Sequence, residues 1–320
     1  FRKTQEKHTK DKNLKKKIKL LIIGGTGFIG YHLANRCIKK NWSIVSISTK
    51  EPTKKKRLKK AKYLICDITK KNSLKKKLNE SFDFVINLGG HVDHKNYKKT
   101  YRSHYLGLKN LVEIFHQKKI KLFIQVGSGG EYGKISSPHV EGKEKAPKTI
   151  YNKSKYLASK FLISFSKKKK FPFTILRFYQ VYGPKQDTNR LIPIVIFNCL
   201  NNQKFDCSNG KQFRNFLYID DAIESIMKCF DHWKKAKNQV FNIGSEKNYQ
   251  VKGLINVIKK RIGQGSPQFG KIKLRVDEKL NFYPSINKVK KILNWKPRIS
   301  LKEGLNLTIN DFAKNKKNNF

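Results

Sequence analysis

Acidic residues are scarce in this sequence. Asp and Glu number 22 against 72 Lys and Arg in 320 residues, which gives a formal net charge of +50. A field of this sign attracts polyphosphates, so the charge suggests nucleic-acid binding. The lysines, however, occur in every quarter of the chain, whereas nucleic-acid sites gather their charge on one face together with arginine and aromatic residues. We therefore predict no specific nucleic-acid partner.

Cysteine and long apolar runs are also in short supply. The cysteines show no paired close spacing: Cys37, Cys66, Cys199, Cys207 and Cys229. Neither a zinc site nor a disulfide framework is therefore indicated, and a reducing compartment is expected. The apolar run 191–200 is shorter than the roughly 18 residues that span a bilayer, and the basic N-terminal segment has no signal-peptide apolar region. We predict a cytoplasmic protein with no membrane span.

Short apolar segments alternate with helical patterns along the chain. This alternation predicts an α/β fold, a doubly wound parallel sheet of the Rossmann type with a smaller C-terminal substrate-binding lobe. The predicted strands are Lys19–Ile23, Ser43–Ile47, Tyr63–Cys66, Phe84–Leu88, Leu122–Val126 and Thr174–Arg177. The predicted units are a basic arm (1–17), a cofactor-binding domain (18–180), a substrate-binding lobe (181–310) and a polar tail (311–320). The boundary at 180 is approximate.

The first predicted strand runs into a glycine-rich turn and then into a helical segment. In this turn Gly24 allows the tight bend, Gly27 lets a pyrophosphate approach the backbone, and Gly30 lets helix and strand pack closely. The helix N-terminus would meet the negative charge with free N–H groups. The glycines are spaced three and three, which departs from the commonest two-and-three pattern. The segment predicts a dinucleotide site.

Tyr151 and Lys155 stand four residues apart, so a helix would carry both on one face. A cation about 4 Å from a phenol, at an effective dielectric near 20, favours the phenolate by roughly 4 kcal/mol and lowers its pKa. Ser128 ends an apolar strand upstream and would reach the same edge of a parallel sheet. These three residues predict a catalytic proton-transfer site.

Together these segments resemble the nucleotide-sugar branch of the extended short-chain dehydrogenase/reductase family, from about residue 18 to residue 309. The family pattern of a glycine turn, a Ser before Tyr132-Gly133, and Tyr-x-x-x-Lys appears in order. Further matches are Leu176-Arg177, Tyr182-Gly183-Pro184, the segments 212–216 and 218–221, Phe241-Asn242-Ile243-Gly244, and 293–297. The resemblance implies an NAD(P)-dependent enzyme that acts on a nucleotide-diphospho sugar. A homodimer is one assembly that it allows.

The resemblance also assigns residues to the two ligands. Cofactor contacts are expected from Gly24, Thr26, Gly27, Phe28, Ile29, Gly30, Ser48, Asp67, Ile68, Leu88, Gly89, Tyr151 and Lys155. Substrate contacts are expected from Ser128, Gln180, Arg190 and Arg214, the last at the diphosphate. Asp67 would lie near the adenine, or alternatively cap a helix. No metal is predicted: His91 and His94 are interpreted as pocket lining, and His104 replaces the asparagine usual in the family.

The family leaves four reactions open: keto reduction, 4-epimerisation, 4,6-dehydration and 3,5-epimerisation. Dehydratases carry an Asp-Glu pair after the serine position, and enzymes that epimerise beside the ketone carry a cysteine in this loop. This chain has Gly129-Gly130 there, and Glu131 is only a stray acid beside the structural Tyr-Gly pair. Dehydration and 3,5-epimerisation are therefore disfavoured.

The remaining choice between keto reduction and 4-epimerisation depends on the cofactor, and Ser48 indicates which cofactor binds. It stands at the end of the second strand, where an acid would hold the ribose hydroxyl of NAD, and Lys50 follows. A hydroxyl and a cation suit the phosphate of NADP, so NADP is favoured over NAD. The leading hypothesis is a 4-keto reductase in which NADPH gives the hydride and Tyr151 the proton. The alternatives are an NAD-dependent 4-epimerase and, more distantly, a noncatalytic basic scaffold or nucleic-acid-binding protein, which has no chemical need for the catalytic trio.

Overall fold

The computed structural model describes residues 17–91, 96–274 and 278–317. The strands are β1 (Lys19–Ile23), β2 (Ser43–Ser48), β3 (Ala61–Ile65), β4 (Phe84–Asn87), β5 (Leu122–Ser128), β6 (Phe173–Phe178), β7 (Gln180–Tyr182), β8 (Lys204–Cys207), β9 (Phe213–Arg214), β10 (Phe216–Tyr218), β11 (Gln239–Ile243), β12 (Tyr249–Gln250), β13 (Ser266–Phe269) and β14 (Asn281–Phe282). The helices are α1 (Phe28–Lys39), α2 (Lys71–Lys77), α3 (Tyr97–Tyr101), α4 (Gly107–His116), α5 (Ile150–Lys169), α6 (Leu191–Leu200), α7 (Ile219–Asp231), α8 (Trp233–Ala236), α9 (Val251–Ile262), α10 (Asn287–Leu293) and α11 (Leu301–Lys317).

Seven of these strands form one parallel sheet in the order β11-β6-β5-β4-β1-β2-β3. The inner strands are buried on both faces, as their continuous apolar runs require, because helices cover both sides. The strand order reverses between β1 and β4, where Ile23 lies beside Asn87. A crevice therefore opens at the carboxyl ends of these two strands, the place where doubly wound sheets bind ligands. The predicted fold class is confirmed.

The six predicted strands correspond to β1 through β6, with ends that differ by at most two residues. The seventh strand, β11, comes from residues 239–243, well beyond residue 180. It pairs with β6 in parallel, with Gln239 beside Thr174 and Ile243 beside Phe178. The chain thus leaves the sheet after β6 and returns to it later.

The remaining strands form three small sheets. β7 pairs with β10, β8 with β13, and β9 lies between β12 and β14. The predicted polar tail is helical as far as residue 317, because α11 continues through it. Asp311 in this helix accepts a hydrogen bond from Lys185 N at 3.0 Å. Of the predicted basic arm only Lys17 lies among the described residues.

The cysteines are all free and buried. Within the described ranges, no helix has both the length and the apolar character needed to cross a bilayer.

Candidate active site

The glycine turn between β1 and α1 has the backbone geometry that a pyrophosphate site needs. Gly24 has φ +79°, a conformation that side chains disfavour, and its N–H donates to Ile47 O at 2.7 Å. Gly27 caps α1 without any side chain. A Cβ on Gly30 would overlap the Gly24 carbonyl oxygen, so only glycine allows the helix to pack this closely on the turn. The N-terminus of α1 therefore faces the crevice unobstructed, and it fits a phosphate group.

Two cavities meet at this turn. One, of about 370 Å³, reaches towards the C-terminal lobe, and the other, of about 670 Å³, extends along the ends of β2 and β3. We call them the reactive end and the adenosine end of the cleft. Gly24, Gly27, Leu88 and Gly90 line both. Every residue predicted to contact the cofactor lines at least one of the two cavities: Gly24, Thr26, Gly27, Phe28, Ile29, Gly30, Ser48, Asp67, Ile68, Leu88, Gly89, Tyr151 and Lys155.

The adenosine end is rich in cations. Its charged lining residues, among those described, are Lys50, Asp67, Lys98, Lys99 and Arg102. Ser48 contacts the glycine turn, since its Oγ accepts a hydrogen bond from Thr26 N at 3.4 Å. Asp67 Oδ1 accepts from Thr69 N at 2.9 Å, whereas α2 begins only at Lys71 and has no side-chain cap. Asp67 thus forms a local turn rather than a helix cap.

The reactive end brings together the three predicted catalytic residues, Ser128, Tyr151 and Lys155. Ser128 ends β5, and its Oγ accepts a hydrogen bond from Gly130 N at 3.1 Å. Tyr151 and Lys155 lie in the first turns of α5, which packs against the turn after β5. Lys155 is only 4% exposed, and its Nζ donates to Val126 O at 2.7 Å. The site therefore holds a phenol, a hydroxyl and a buried ammonium at the end of one strand.

The pKa of Tyr151 is raised, which corrects the prediction that a cation would lower it. Burial is the largest cause and the Glu131 charge adds to it, while Arg190 and a hydrogen bond with the Ser128 side chain act in the opposite direction. Burial lowers the pKa of Lys155 to about 8, although Glu131 opposes this effect. In this structure the phenol therefore keeps its proton at neutral pH, and the ammonium is close to titrating.

Glu131 is a structural residue rather than a stray acid. Its side chain is fully buried and accepts hydrogen bonds from Ser128 N at 2.8 Å, Ser159 Oγ at 2.7 Å and Arg177 Nε at 3.0 Å. Arg177, itself 2% exposed, also pairs with Glu144. This network fixes the turn that carries Ser128. In the sequence Arg177 stands out only as part of a motif, because its pairing with Glu131 depends on a contact across 46 residues.

Side chains at the two positions that follow Ser128 would meet neighbouring side chains. A Cβ on Gly129 would lie 2.6 Å from Tyr179 Cε1, and one on Gly130 would overlap the amide of Asn152. The two glycines therefore fit the present arrangement of these side chains. No carboxylate can occupy either position without displacement of these neighbours.

The predicted substrate residues separate into two groups. Gln180 and Arg190 line the reactive end together with Ser128. Arg214 does not, because its guanidinium pairs with Glu278 and lies over the Phe282 ring, with 5.8 Å to the centroid. The placement expected for Arg214 therefore differs from that found in this structure.

Two predictions concerned histidines near β4. His91 lines the adenosine end, whereas His94 lies outside the described residues. Within the described part of the chain, no group of three or more His, Cys, Asp or Glu side chains is arranged to hold a metal ion. His104 lines the reactive end and contacts Tyr151. In the sequence this histidine stands out only as a departure from the family pattern.

Comparison with known proteins decides the family. The sequence model of the NAD dependent epimerase/dehydratase family matches residues 20–244. The chain belongs to this family. It is 30% identical over 304 residues to a Methanocaldococcus jannaschii protein provisionally named UDP-glucose 4-epimerase, covering 91% of this chain and 97% of that protein. The predicted family and the prediction of an enzyme are both confirmed.

Other members of the family are named for different reactions. Human dTDP-D-glucose 4,6-dehydratase is 29% identical over 93% of this chain and 90% of its own length. The crystal structure of UDP-glucuronic acid 4-epimerase from Bacillus cereus, in complex with UDP-glucuronic acid and NAD, superposes with a TM-score of 0.84 at 23% identity. It covers 93% of this chain and 99% of its own, and this likeness shows the fold. The family therefore does not by itself choose the reaction.

Proposed function

We propose that this enzyme is an NADPH-dependent 4-keto reductase of a nucleotide-diphospho sugar. The observation that carries the proposal is the pair Gly129-Gly130, which supplies neither the acid nor the base that dehydration needs and against which Tyr179 and Asn152 pack. The side chains that remain to act on the substrate are Ser128, Tyr151 and Lys155. A hydroxyl, a phenol and an ammonium suffice for exchange of a hydride and a proton at a carbonyl carbon.

A nicotinamide dinucleotide, when bound, supplies the hydride. The residues present fit such a group, because the glycine turn leaves the N-terminus of α1 bare and the two cavities extend from it in opposite directions. Gly24, Gly27 and Gly30 would hold the pyrophosphate, and Lys155 the ribose on the reactive side. These assignments follow from the position of each residue along the cleft.

The protein groups divide the proton chemistry between them. Tyr151 donates its phenolic proton to the oxygen of the substrate carbonyl as negative charge develops there. Ser128 donates a hydrogen bond to the same oxygen and so stabilises that charge. The Lys155 ammonium offsets the negative charge left on Tyr151. Gln180 and Arg190, which line the same cavity, would contact the sugar nucleotide.

The raised pKa of Tyr151 favours the reductive direction. A reductase needs a protonated phenol at the start of the reaction, since the phenol acts as the acid. The first step of a 4-epimerase removes a proton from a sugar hydroxyl and therefore needs a phenolate. A phenol that keeps its proton at neutral pH is suited to the first task.

The cations of the adenosine end favour NADPH. The cations that line the same cavity as Ser48 are Lys50, Lys98, Lys99 and Arg102, and Asp67 is the only carboxylate among the described residues that line it. A ribose 2'-phosphate would find positive charge and a hydroxyl there, whereas NAD would find no carboxylate at the position of Ser48. A cofactor that is exchanged in each turnover suits a reductase.

The second candidate is an NAD-dependent 4-epimerase. It is favoured by the 30% identical relative, whose name assigns it to UDP-glucose 4-epimerisation, and by the fold shared with the NAD-bound Bacillus cereus enzyme. Both candidates use the same three catalytic residues. They differ in whether the cofactor is consumed.

The test begins with the nucleotide that the purified protein carries. The protein is denatured, and the released nucleotide is identified and quantified. Thermal shift with NADH, NADPH and CDP-, dTDP-, UDP- and GDP-sugars then selects the ligands that raise the unfolding temperature. A reductase consumes one NADPH for each 4-keto sugar reduced. Tightly bound NAD, together with interconversion of a 4-hydroxyl sugar and no net use of cofactor, would establish the epimerase instead.

A further inference from the structure

A π-helical turn at Arg102–Leu106 interrupts the helical segment between α3 and α4 and directs His104 towards the reactive end. Such wide turns are frequent at functional sites. His104 is 3% exposed, and its ring meets that of Tyr151 edge-on with 5.2 Å between centroids. On its other side lies Gly90, where any side chain would overlap the imidazole. The ring is therefore held between the catalytic phenol and the end of β4.

The hydrogen bonds of this turn define the tautomer of His104. His91 N donates to Ser103 Oγ at 3.0 Å, and His104 Nε2 lies 3.1 Å from His91 O. Because a carbonyl oxygen only accepts, Nε2 carries the proton and Nδ1 presents a lone pair. Nδ1 is buried and has no hydrogen-bond partner among the residues that the structure describes. Buried polar atoms without partners are rare in proteins, so this lone pair requires a donor.

The Lys155 ammonium is the donor that the site offers. Burial, and after it the charge of Lys155, lower the pKa of His104 to about 2, so the imidazole is neutral and able to accept at any working pH. Of the three N–H groups of Lys155, one donates to Val126 O, and no other hydrogen bond of this ammonium occurs within the described residues. A donor with free capacity and an acceptor without a partner among the described residues thus line the same cavity, and both side chains are buried.

We propose that His104 is a positioning residue whose Nδ1 accepts a hydrogen bond from the Lys155 ammonium when the cleft is occupied. This bond holds the ammonium beside Tyr151 and stabilises its charge against burial. The inference rests on the proposed cofactor-dependent reaction. The other charged or titratable groups that face the pair are Glu131 after β5, Tyr151 on α5, His91 after β4 and Arg190 before α6.

The test compares His104→Asn with His104→Leu, whose side chains have nearly the same shape. Both variants lose the ring contact with Tyr151 and the hydrogen bond to His91 O, but only asparagine keeps an acceptor near the position of Nδ1. The dissociation constants of NADPH and NADH are measured by fluorescence between about pH 6.5 and 9.5, and the NADPH-dependent rate at pH 7.5. Thermal unfolding verifies that each variant is folded.

We expect the leucine variant to lose cofactor affinity at a pH about one unit lower than the asparagine variant, because an ammonium without its acceptor gives up its proton more easily. Its saturated rate should be about tenfold lower than that of the asparagine variant. With Lys155→Met added, the two variants should become equal. If His104→Leu does not fold, the smaller matched pair His104→Thr and His104→Val repeats the comparison.

Equal pH midpoints and equal rates in the matched pair would overturn the role of His104, while the proposed function would stand on the activity of the native enzyme. A difference that survives Lys155→Met would also overturn it, because the effect would then not pass through the lysine. A native protein that binds neither nucleotide at any pH would overturn both proposals.

Discussion

The two ends of the cleft differ in how far their charged side chains are buried. At the reactive end, Lys155 is almost wholly buried, and Ser128 and Lys155 are fixed by hydrogen bonds to backbone groups. At the adenosine end, Lys50, Lys98 and Lys99 are exposed to solvent. Burial sets the pKa values at the first end, whereas screened surface charge acts at the second. Catalysis should therefore be sensitive to the removal of single atoms at the reactive end, whereas cofactor preference should respond to changes of charge at the adenosine end.

The largest effect is expected from Tyr151→Phe, which removes one oxygen at the reactive end. Loss of the proton donor should lower the saturated rate about a thousandfold, since general acid catalysis contributes 10²–10⁴. The affinity for NADPH should stay within about twofold of the native value, because the phenol is not needed to hold the cofactor. Stopped-flow oxidation of NADPH and fluorescence titration measure the two quantities. A variant that turns over at a rate close to the native one would refute the assignment of Tyr151.

A substitution at the adenosine end should act on affinity alone. Ser48→Asp places a carboxylate where a 2'-phosphate is expected and should weaken NADPH binding about 10- to 100-fold, with NADH affected little or improved. Ser48→Asn is the matched control, because it has the same size and no charge. The ratio of the NADPH and NADH dissociation constants, measured in each variant, tests this prediction. If the aspartate variant discriminates no differently from the asparagine variant, the 2'-phosphate does not lie at Ser48.

The two ends should also differ in their response to pH. The Lys155 pKa of about 8 lies below the ordinary lysine value, so the cation is lost as pH rises through 8. If the charged lysine holds the ribose, cofactor affinity should be constant below this pH and fall by about tenfold for each unit above it. In Lys155→Met the affinity should be lower and independent of pH over the same range. An affinity in the native enzyme that is constant up to pH 10 would contradict the assigned role.

The smallest expected effect is that of salt. Exposed cations are screened over about 10 Å at 0.1 M salt and about 3 Å at 1 M, so the second-order rate constant for NADPH should fall a few-fold over this range. The saturated rate, which depends on buried groups, should stay nearly constant. Steady-state kinetics at several NaCl concentrations separate the two. A saturated rate that falls as steeply as the second-order rate would show that the reactive end is not shielded from solvent ions.

The sequence predicted those parts of the molecule that depend on local patterns. The turn at Gly24 and the pair Tyr151 and Lys155 are encoded within a few residues, and the parallel strands follow from short apolar runs. These features place the cleft and the three proposed catalytic residues at the carboxyl edge of the sheet. Every residue predicted for the cofactor lines the cleft for the same reason.

The features that the sequence did not predict depend on long-range packing. The last strand of the sheet comes from residues 239–243, far from the strand that it pairs with. The Glu131 network with Arg177 and the pairing of Arg214 with Glu278 join residues 46 and 64 positions apart. The direction of the Tyr151 pKa shift was wrong because burial outweighs the effect of nearby cations, and burial cannot be assessed from spacing alone.

The packing around Gly129 and Gly130 also limits how this enzyme can change in evolution or in the laboratory. Introducing the Asp-Glu pair of a dehydratase would require Tyr179 and Asn152 to move or to be replaced by smaller residues, because each new side chain meets one of them. Any intermediate with only some of these changes would carry a clash or a cavity beside the catalytic serine. A library that varies positions 129 and 130 together with 152 and 179 should therefore yield folded variants more often than a library that varies positions 129 and 130 alone.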